Sequence, residues 1–114
     1  MRFNFEAEQV RFQEAVRAFM EKEFTPESLR SLAATSSRRS PELWSALAGL
    51  GLLGILVPEN SGGLGLSEVD LVLVLEESGR AALAEPLVET AAVAAPLLRD
   101  SGRRDLAERW LGAL

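Results

Sequence analysis

The chain has 114 residues, of which 12 are basic and 17 acidic, giving a formal net charge of −5. This length fits one domain with a real hydrophobic core, and the acidic balance argues against a nucleic-acid-binding protein. Cysteine and histidine are both absent, which excludes disulfides, thiolate catalysis and every serine-histidine-aspartate site.

Apolar spacing and start signals predict the helices of the first half of the chain. Residues from about Glu6 to Glu23 carry apolar side chains at helical spacing and form the first predicted helix. The pair Thr25-Pro26 predicts the start of a short second helix to about Leu32, because threonine caps a helix and proline fits its first turn. The pair Ser40-Pro41 repeats this signal after an exposed loop, and the third helix should stop near the glycines at 49 and 51.

A buried segment, a glycine-rich loop and an apolar helix follow. The segment LLGILVP fits either a short extended stretch or a buried turn, and ENSGGLGL predicts a loop in which at least one glycine has positive φ. Ser67 and Asp70 have the spacing of a capping box at a helix start. Because Leu71–Leu75 is wholly apolar, we expect this fourth helix to be buried on most sides and to end near Gly79 or Arg80.

The last part of the chain predicts two further helices. Pro86 should open the fifth helix, and Gly102 should end it. Pro96 lies inside this pattern and is expected to kink or split the helix, because proline lacks the N–H donor and clashes with the preceding turn. Residues Asp105–Leu114 complete the pattern, so the sequence predicts an all-α fold in a single domain, 1–114.

No segment has the form of an export signal or a membrane span. Glu6 and Glu8 interrupt the opening MRFNFEAEQVRF, which therefore lacks the apolar region of a signal peptide. The longest uncharged run, Leu43–Pro58, is too short and too rich in glycine to cross a bilayer. The sequence therefore predicts a soluble, cytoplasmic protein.

Two motifs suggest catalysis or phosphate binding at first sight, but their spacing is wrong. The run GGLG lacks the Lys-Ser/Thr and the glycine spacing of known phosphate loops, so a tight turn before Ser67 is the better interpretation. Glu76 and Glu77 are adjacent on a helix and cannot face one another as a catalytic dyad. An ion pair with Arg80 is the simpler role. We predict no catalytic residue and no metal site in the chain.

The fifth helix is rich in small side chains, which leave two interpretations open. Alanines at 91, 92, 94 and 95 could allow close helix packing, or they could leave space for an apolar ligand. Close packing is the better guess from the residues alone. Glu85 and Glu89, beside this face, are expected to be solvated, and Trp44 and Trp110 are expected to be core or interface anchors.

The order of these motifs resembles the N-terminal helical domain of acyl-CoA dehydrogenases. The run ELWSALAGLGLLGILVPENSGGLGLSEVDLVLVLEESGR is similar to the family pattern LGLLGI-VPE--GGLG followed by a helix ending in EE-GR. The opening FNFEAEQVRFQEAVRAFMEKEF is similar to the family's first helix, and SGRRDLAERWLGAL to the segment that leads into its middle β-domain. The resemblance covers essentially the whole chain and implies an orthogonal or up-down bundle of about five to six helices.

The resemblance implies FAD-dependent α,β-desaturation of an acyl-CoA thioester by a longer enzyme. The family's catalytic glutamate and its FAD contacts lie in segments that this chain does not contain, so no catalytic or cofactor-binding residue is assigned here. The implied partners are a β-domain, a C-terminal helical domain or partner subunit, and further copies in a homo- or hetero-oligomer. The 114 residues alone are expected to be inactive.

The resemblance also implies part of an acyl pocket. In the family, the helix after EE-GR forms part of the pocket floor, and Glu85, Val88 and Ala92 fall at the wall positions here. Alanine in place of a larger apolar residue suggests a roomy pocket. The run AEPLVET is similar to members that act on bulky or branched acyl groups, including steroid side chains, so the implied pathway is β-oxidation of fatty acids or steroid side chains.

Two other interpretations remain beside the enzyme. The chain could be a stand-alone helical interaction module derived from such an enzyme and paired with a partner subunit, or a generic bundle whose glycine loop matches by chance. The pattern stops inside a helix without an end signal, which leads us to expect a fragment of a longer protein. The acyl substrate, the electron acceptor and the oligomeric state do not follow from the sequence.

Overall fold

The computed structural model describes residues 4–114, and all the regular secondary structure in that range is helical, which confirms the all-α prediction. Residues 1–3, the start of the segment compared above with a signal peptide and a first helix, lie outside the described part. No helix within residues 4–114 is long and apolar enough to cross a membrane. The α-helices are α1 (Ala7–Glu23), α2 (Pro26–Ala33), α3 (Pro41–Gly49), α4 (Glu68–Arg80), α5 (Ala95–Asp100) and α6 (Arg104–Trp110).

Shorter helical segments of other types connect these α-helices. Two 3₁₀ turns, Leu52–Gly54 and Glu59–Ser61, lie between α3 and α4, and a third, Leu111–Ala113, follows α6. A π-helical segment, Val88–Ala94, leads directly into α5. The described residues divide into two compact units, one made of residues up to 39 with 72–84 and the other of 40–71 with 85–114. The single domain 1–114 stays a prediction.

The first unit begins with α1, whose start is closed by a hydrogen bond of 2.8 Å from the Glu6 N–H to the Gln9 side chain. Thr25 caps α2 as predicted, because its hydroxyl accepts the Ser28 N–H at 3.1 Å. Of the predicted apolar face of α1, Val16 and Met20 are buried, whereas Ala15 is exposed. The core of this unit therefore uses a narrower stripe of α1 than its apolar spacing predicts.

The second unit begins with α3 and a buried turn. Ser40 caps α3 as predicted, accepting the Leu43 N–H at 3.2 Å. The segment LLGILVP is the buried turn of the two alternatives, because it opens with a 3₁₀ turn and no residue of it is a strand. Its apolar side chains supply much of the core: Leu52, Leu53, Ile55, Leu56 and Val57 are all buried.

The glycine loop folds back onto this buried turn through backbone hydrogen bonds. The N–H groups of Leu64, Gly65 and Leu66 donate to carbonyls of residues 54, 57 and 55, each at 2.9 Å. Gly62 and Gly65 have positive φ, as predicted for at least one glycine. Gly63 lies so close to the buried turn that a Cβ added there would be 2.1 Å from the Val57 carbonyl oxygen. The loop thus requires glycine at 63 for space.

Helix α4 starts as predicted but is less buried than predicted. The Asp70 carboxylate accepts the Ser67 N–H at 2.9 Å, which is the reach-back bond of a capping box, and the helix ends at Arg80. Leu71 and Val74 are buried, whereas Val72 is 52% exposed. Five consecutive apolar residues wrap around a helix, so one of them falls on the outer face when only one side is covered.

The helix before Gly102 shows how the chain accommodates Pro96. It begins at Leu87, runs as a π-helix through Val88–Ala94, and continues as α5 to Asp100. In place of the expected kink or split, the helix changes type in the turns before Pro96 and then continues as a regular α-helix. Gly102 has positive φ and follows the end of α5, as predicted.

Candidate functional site

The helical stretch Leu87–Asp100 has one buried side and one exposed apolar side. Leu87, Ala91 and Ala95 recur every four residues and are almost fully buried. Val88, Val93 and Leu97 are 47%, 49% and 66% exposed. A row of three large apolar side chains in solvent is a feature of contact surfaces rather than of ordinary helix faces.

A groove with a volume of about 470 Å³ lies along this exposed side. Its apolar lining residues are Ala92, Val93, Pro96 and Leu97, and Asp100 and Ser101 stand at one end. The Asp100 carboxylate is engaged by Arg99, whose Nε donates to Oδ1 at 2.8 Å, and this lowers the pKa of Asp100. The remaining wall offers no charge, so it suits a hydrocarbon group.

The alanines of this helix divide between the two interpretations left open by the sequence. Ala91 and Ala95 are fully buried, which is the close-packing role. Ala92 is half-buried and lines the groove, so the space that a larger side chain would fill there is open on the outer side of the helix. Of the predicted wall residues, Ala92 thus lines the groove, and Val88 is exposed one turn before it.

Glu85 was expected to be solvated, and this expectation was wrong. Its side chain is buried, and its Oε1 accepts the backbone N–H of Ser40 at 2.7 Å, at the residue that caps α3. A carboxylate stabilises a helix start because it faces the positive end of the helix dipole. Glu89 is exposed as expected. A role for Glu85 in an acyl-pocket wall stays a prediction.

Replacing Glu85 with leucine is expected to destabilise the second unit, because the partly buried Ser40 N–H then loses a charged acceptor. The expected loss in the free energy of unfolding is about 1–3 kcal/mol. Glu85→Gln, the matched control, keeps an acceptor oxygen and should lose less. Urea unfolding measures both, and equal stabilities of the Leu and Gln variants would contradict this role of Glu85.

The first unit contains a buried carboxylate that the sequence analysis did not connect with its main partner. Glu77 is 1% exposed, and its Oε1 accepts Arg17 Nη2 at 2.8 Å and Gln13 Nε2 at 3.0 Å. Arg80 Nε lies 3.5 Å from Oε2, which is the ion pair expected along α4. The hydrogen bond from Arg17 is the main cause that lowers the pKa of Glu77.

This cluster binds its own members and leaves no catalytic pair. Glu76 is exposed while Glu77 is buried, so the two carboxylates do not share a site. A signal for the buried position was present in the sequence, since Glu77 follows Leu73 and Val74 by four and three residues on the buried stripe. The partner Arg17 lies 60 residues away, and no local pattern points to it.

The glycine loop does not have the geometry of a phosphate site. A phosphate loop needs free backbone N–H groups, yet in the glycine loop those of Gly62 and Gly63 also donate to nearby carbonyls, of Glu59 and Pro58. Rejecting GGLG as a phosphate site is thus supported by its geometry. Within residues 4–114, no cluster of three or more acidic residues has the arrangement to hold a metal ion.

Comparison with known proteins identifies the family. The profile described as "Acyl-CoA dehydrogenase, N-terminal domain" matches residues 6–114. The chain belongs to the acyl-CoA dehydrogenase family. Its match to the N-terminal domain confirms the resemblance carried by the glycine loop and the helix ending in EE-GR.

Individual acyl-CoA dehydrogenases agree with this assignment. The chain is 34% identical over 101 residues to acyl-CoA dehydrogenase IpdE2 of Mycolicibacterium smegmatis, covering 88% of this chain and 32% of that protein. It is 34% identical over 74 residues to mitochondrial isovaleryl-CoA dehydrogenase of Pongo abelii, covering 65% and 18%. A solved structure of a variant of the Tcur3481-Tcur3483 steroid ACAD matches with a TM-score of 0.77 and 34% identity, covering 92% of this chain and 30% of that chain.

The matches span a minor part of each relative. The match covers about a third of IpdE2 and less than a fifth of the isovaleryl-CoA dehydrogenase. Those relatives are therefore about three times as long as this chain or longer.

Proposed function

We propose that this chain is the N-terminal domain of an FAD-dependent enzyme that desaturates acyl-CoA thioesters between the α and β carbons. The family match over residues 6–114 supports the enzyme class. The observation that carries the role of this chain is the groove whose wall is apolar except for Asp100 and Ser101 at one end, and whose lining includes Ala92. In this proposal the groove is part of the acyl site, and the reacting groups are supplied by other segments.

FAD belongs to the proposal through the family, and no residue of this chain is assigned to it. The glycine loop does not fit the pyrophosphate, since its N–H groups already donate to carbonyls of the loop and of the buried turn. What the chain supplies is an apolar wall. Each methylene group that leaves water against such a wall stabilises binding by about 0.8 kcal/mol, so the wall can select among acyl groups by size and shape.

The wall residues in this proposal are those predicted from the resemblance. Ala92 lies in the groove lining, and Val88 is exposed one turn before it on the same helix. Glu85 precedes Leu87, where this helix begins, and its carboxylate accepts the Ser40 N–H at the start of α3. Two relatives are named for isovaleryl-CoA and for steroids. We therefore propose a branched or ring-containing acyl group as the substrate class, in β-oxidation of fatty acids or steroid side chains.

The complete enzyme is proposed to include a β-domain and a C-terminal helical domain or partner subunit, in a homo- or hetero-oligomer. The exposed apolar residues of α4, Val69 at 54% and Val72 at 52%, support a covered surface in the complete protein. A cytoplasmic location remains a prediction from the sequence.

The test is Ala92→Phe in the complete enzyme. The ring fills the groove, so kcat/KM on bulky or branched acyl-CoA should fall at least about tenfold more than on short straight acyl-CoA. Ala34→Phe adds the same ring at an exposed end of α2 and should leave both substrates unchanged. Steady-state kinetics on a series of acyl-CoA thioesters measures the ratio.

Two results would count against the proposal in different ways. An equal loss on all chain lengths in Ala92→Phe would remove Ala92 from the acyl site while leaving the enzyme class intact. A complete wild-type protein that reduces no electron acceptor with any acyl-CoA would contradict the enzyme itself. The same exposed apolar residues would then favour the second candidate, a helical interaction module that pairs with a partner subunit.

A further inference from the structure

The groove is formed on an unusual stretch of helix. Val88–Ala94 is π-helical, and the Ala95 N–H that closes it donates to the Thr90 carbonyl, five residues earlier. An α-helix would use the carbonyl four residues earlier. π-Helical turns are rare and are frequently found at functional sites. Three of the groove's residues, Ala92, Val93 and Pro96, lie in this segment or just after it.

Pro96 gives a physical cause for the change of helix type. Proline has no N–H to donate, and in an α-helix its ring clashes with the carbonyl four residues earlier, which is that of Ala92. A wider turn before the proline moves that carbonyl away from the ring. The helix then continues in regular α geometry through Ala95–Asp100. Pro96 and Ala92 both line the groove, so the conflict arises at the groove itself.

The wider turn decides which side chains point the same way. In an α-helix, residues five apart such as Val88 and Val93 lie about 140° apart around the axis. In the π segment each hydrogen bond reaches back five residues, so the turn is wider and the angle between residues five apart is smaller. Val88 and Val93 are both about half exposed, at 47% and 49%. Leu97 extends the row by four residues. The buried side, Leu87, Ala91 and Ala95, keeps a repeat of four.

We propose that Pro96 is a positioning residue that sets substrate preference by holding the π segment and thereby aligning Val88 with Val93 beside Ala92. This inference rests on the proposed function of the groove as part of the acyl site. A widened turn with alanine at its outer surface makes a broad wall, which suits branched or ring-containing acyl groups. With alanine at 96, the N–H can donate to the Ala92 carbonyl, and the segment should return to α geometry.

The experiment is Pro96→Ala in the complete enzyme, with Pro41→Ala as the matched control. Pro41 stands in the first turn of α3, where a missing N–H has no helical partner, so its loss should not change substrate preference. The ratio of kcat/KM for branched over straight acyl-CoA should fall at least about tenfold in Pro96→Ala. The change should lie mainly in KM for the branched substrate. Deletion of Ala94, which removes one residue from the π segment, should shift the ratio in the same direction if Pro96→Ala folds poorly.

A crystal structure of the variant gives the readout of helix type, independent of activity. A return of residues 88–94 to α geometry together with the altered ratio would support the proposal. A π segment that persists without the proline would overturn the role of Pro96, and α geometry with an unchanged ratio would overturn its role in selection. If the wild-type enzyme turns over no acyl-CoA, the proposed function fails and the selection role falls with it, whereas the variant's helix type still decides whether Pro96 holds the π segment.

Discussion

Replacing Gly63 with alanine is expected to lower the free energy of unfolding by more than about 3 kcal/mol. An added Cβ would be 2.1 Å from the Val57 carbonyl oxygen, 2.4 Å from its Cβ and 2.6 Å from its carbonyl carbon. Two of these atoms are backbone, and Val57 is itself buried. The clash therefore cannot be relieved by rotating a side chain, and the loop must move away from the buried turn.

The matched controls separate lack of space from glycine's other properties. Gly49→Ala puts the same methyl group into open space at the end of α3 and should be neutral or slightly stabilising, because alanine favours helix. Gly62→Ala also meets no atom, but its φ of +89° should cost about 1–2 kcal/mol. In urea unfolding, Gly49→Ala should be the most stable of the three variants, Gly62→Ala the next and Gly63→Ala the least stable. A Gly63→Ala variant as stable as Gly49→Ala would contradict the close approach.

Glu77→Gln is expected to lower the free energy of unfolding at neutral pH by about 1–2 kcal/mol. The neutral amide keeps most of the shape, but it removes the negative charge and can place an NH₂ donor where Oε2 accepts Arg17 Nε at 3.2 Å. The loss stays moderate because Arg17 is partly exposed and water can solvate its freed guanidinium. Glu76→Gln, one residue earlier on the exposed side, is the matched control and should change stability little.

The pH dependence gives this prediction a second readout. The Arg17 hydrogen bond lowers the pKa of Glu77 in the folded state. The stabilisation is therefore fully present above the unfolded glutamate pKa of about 4.3 and is lost as the pH falls through the lowered folded value. The difference between wild type and Glu77→Gln should shrink over that acidic range. A difference that stays constant there, or one equal to that of Glu76→Gln, would contradict the buried ion pair.

Local signals in the sequence predicted where helices begin, because caps act over three residues. Thr25, Ser40 and the Ser67–Asp70 pair each make the predicted hydrogen bond or stand at the predicted start. The glycine loop was also predictable, since left-handed backbone favours glycine. Its close approach at Gly63 was not, because that depends on where the buried turn lies in space.

Interactions between distant residues could not be predicted from the sequence in the same way. Arg17 and Glu77 are 60 residues apart, and Ser40 and Glu85 are 45 apart, so no helical or strand period links them. The burial of Glu85 follows from that contact and opposes its polar character. The π segment was missed for another reason: Pro96 predicts a disruption, but the neighbouring packing decides whether the chain kinks or widens a turn.

The return of the glycine loop onto the buried turn also bears on the order in which the chain can fold. All the hydrogen bonds that close it join residues between 54 and 66, and closing so short a loop costs little chain entropy. The ion pair of Glu77 and the bond of Glu85 to Ser40 instead wait for segments far along the chain. During synthesis, the residues of this loop leave the ribosome almost together. Their contacts are therefore available to the nascent chain before the groove-bearing helix has left the ribosome.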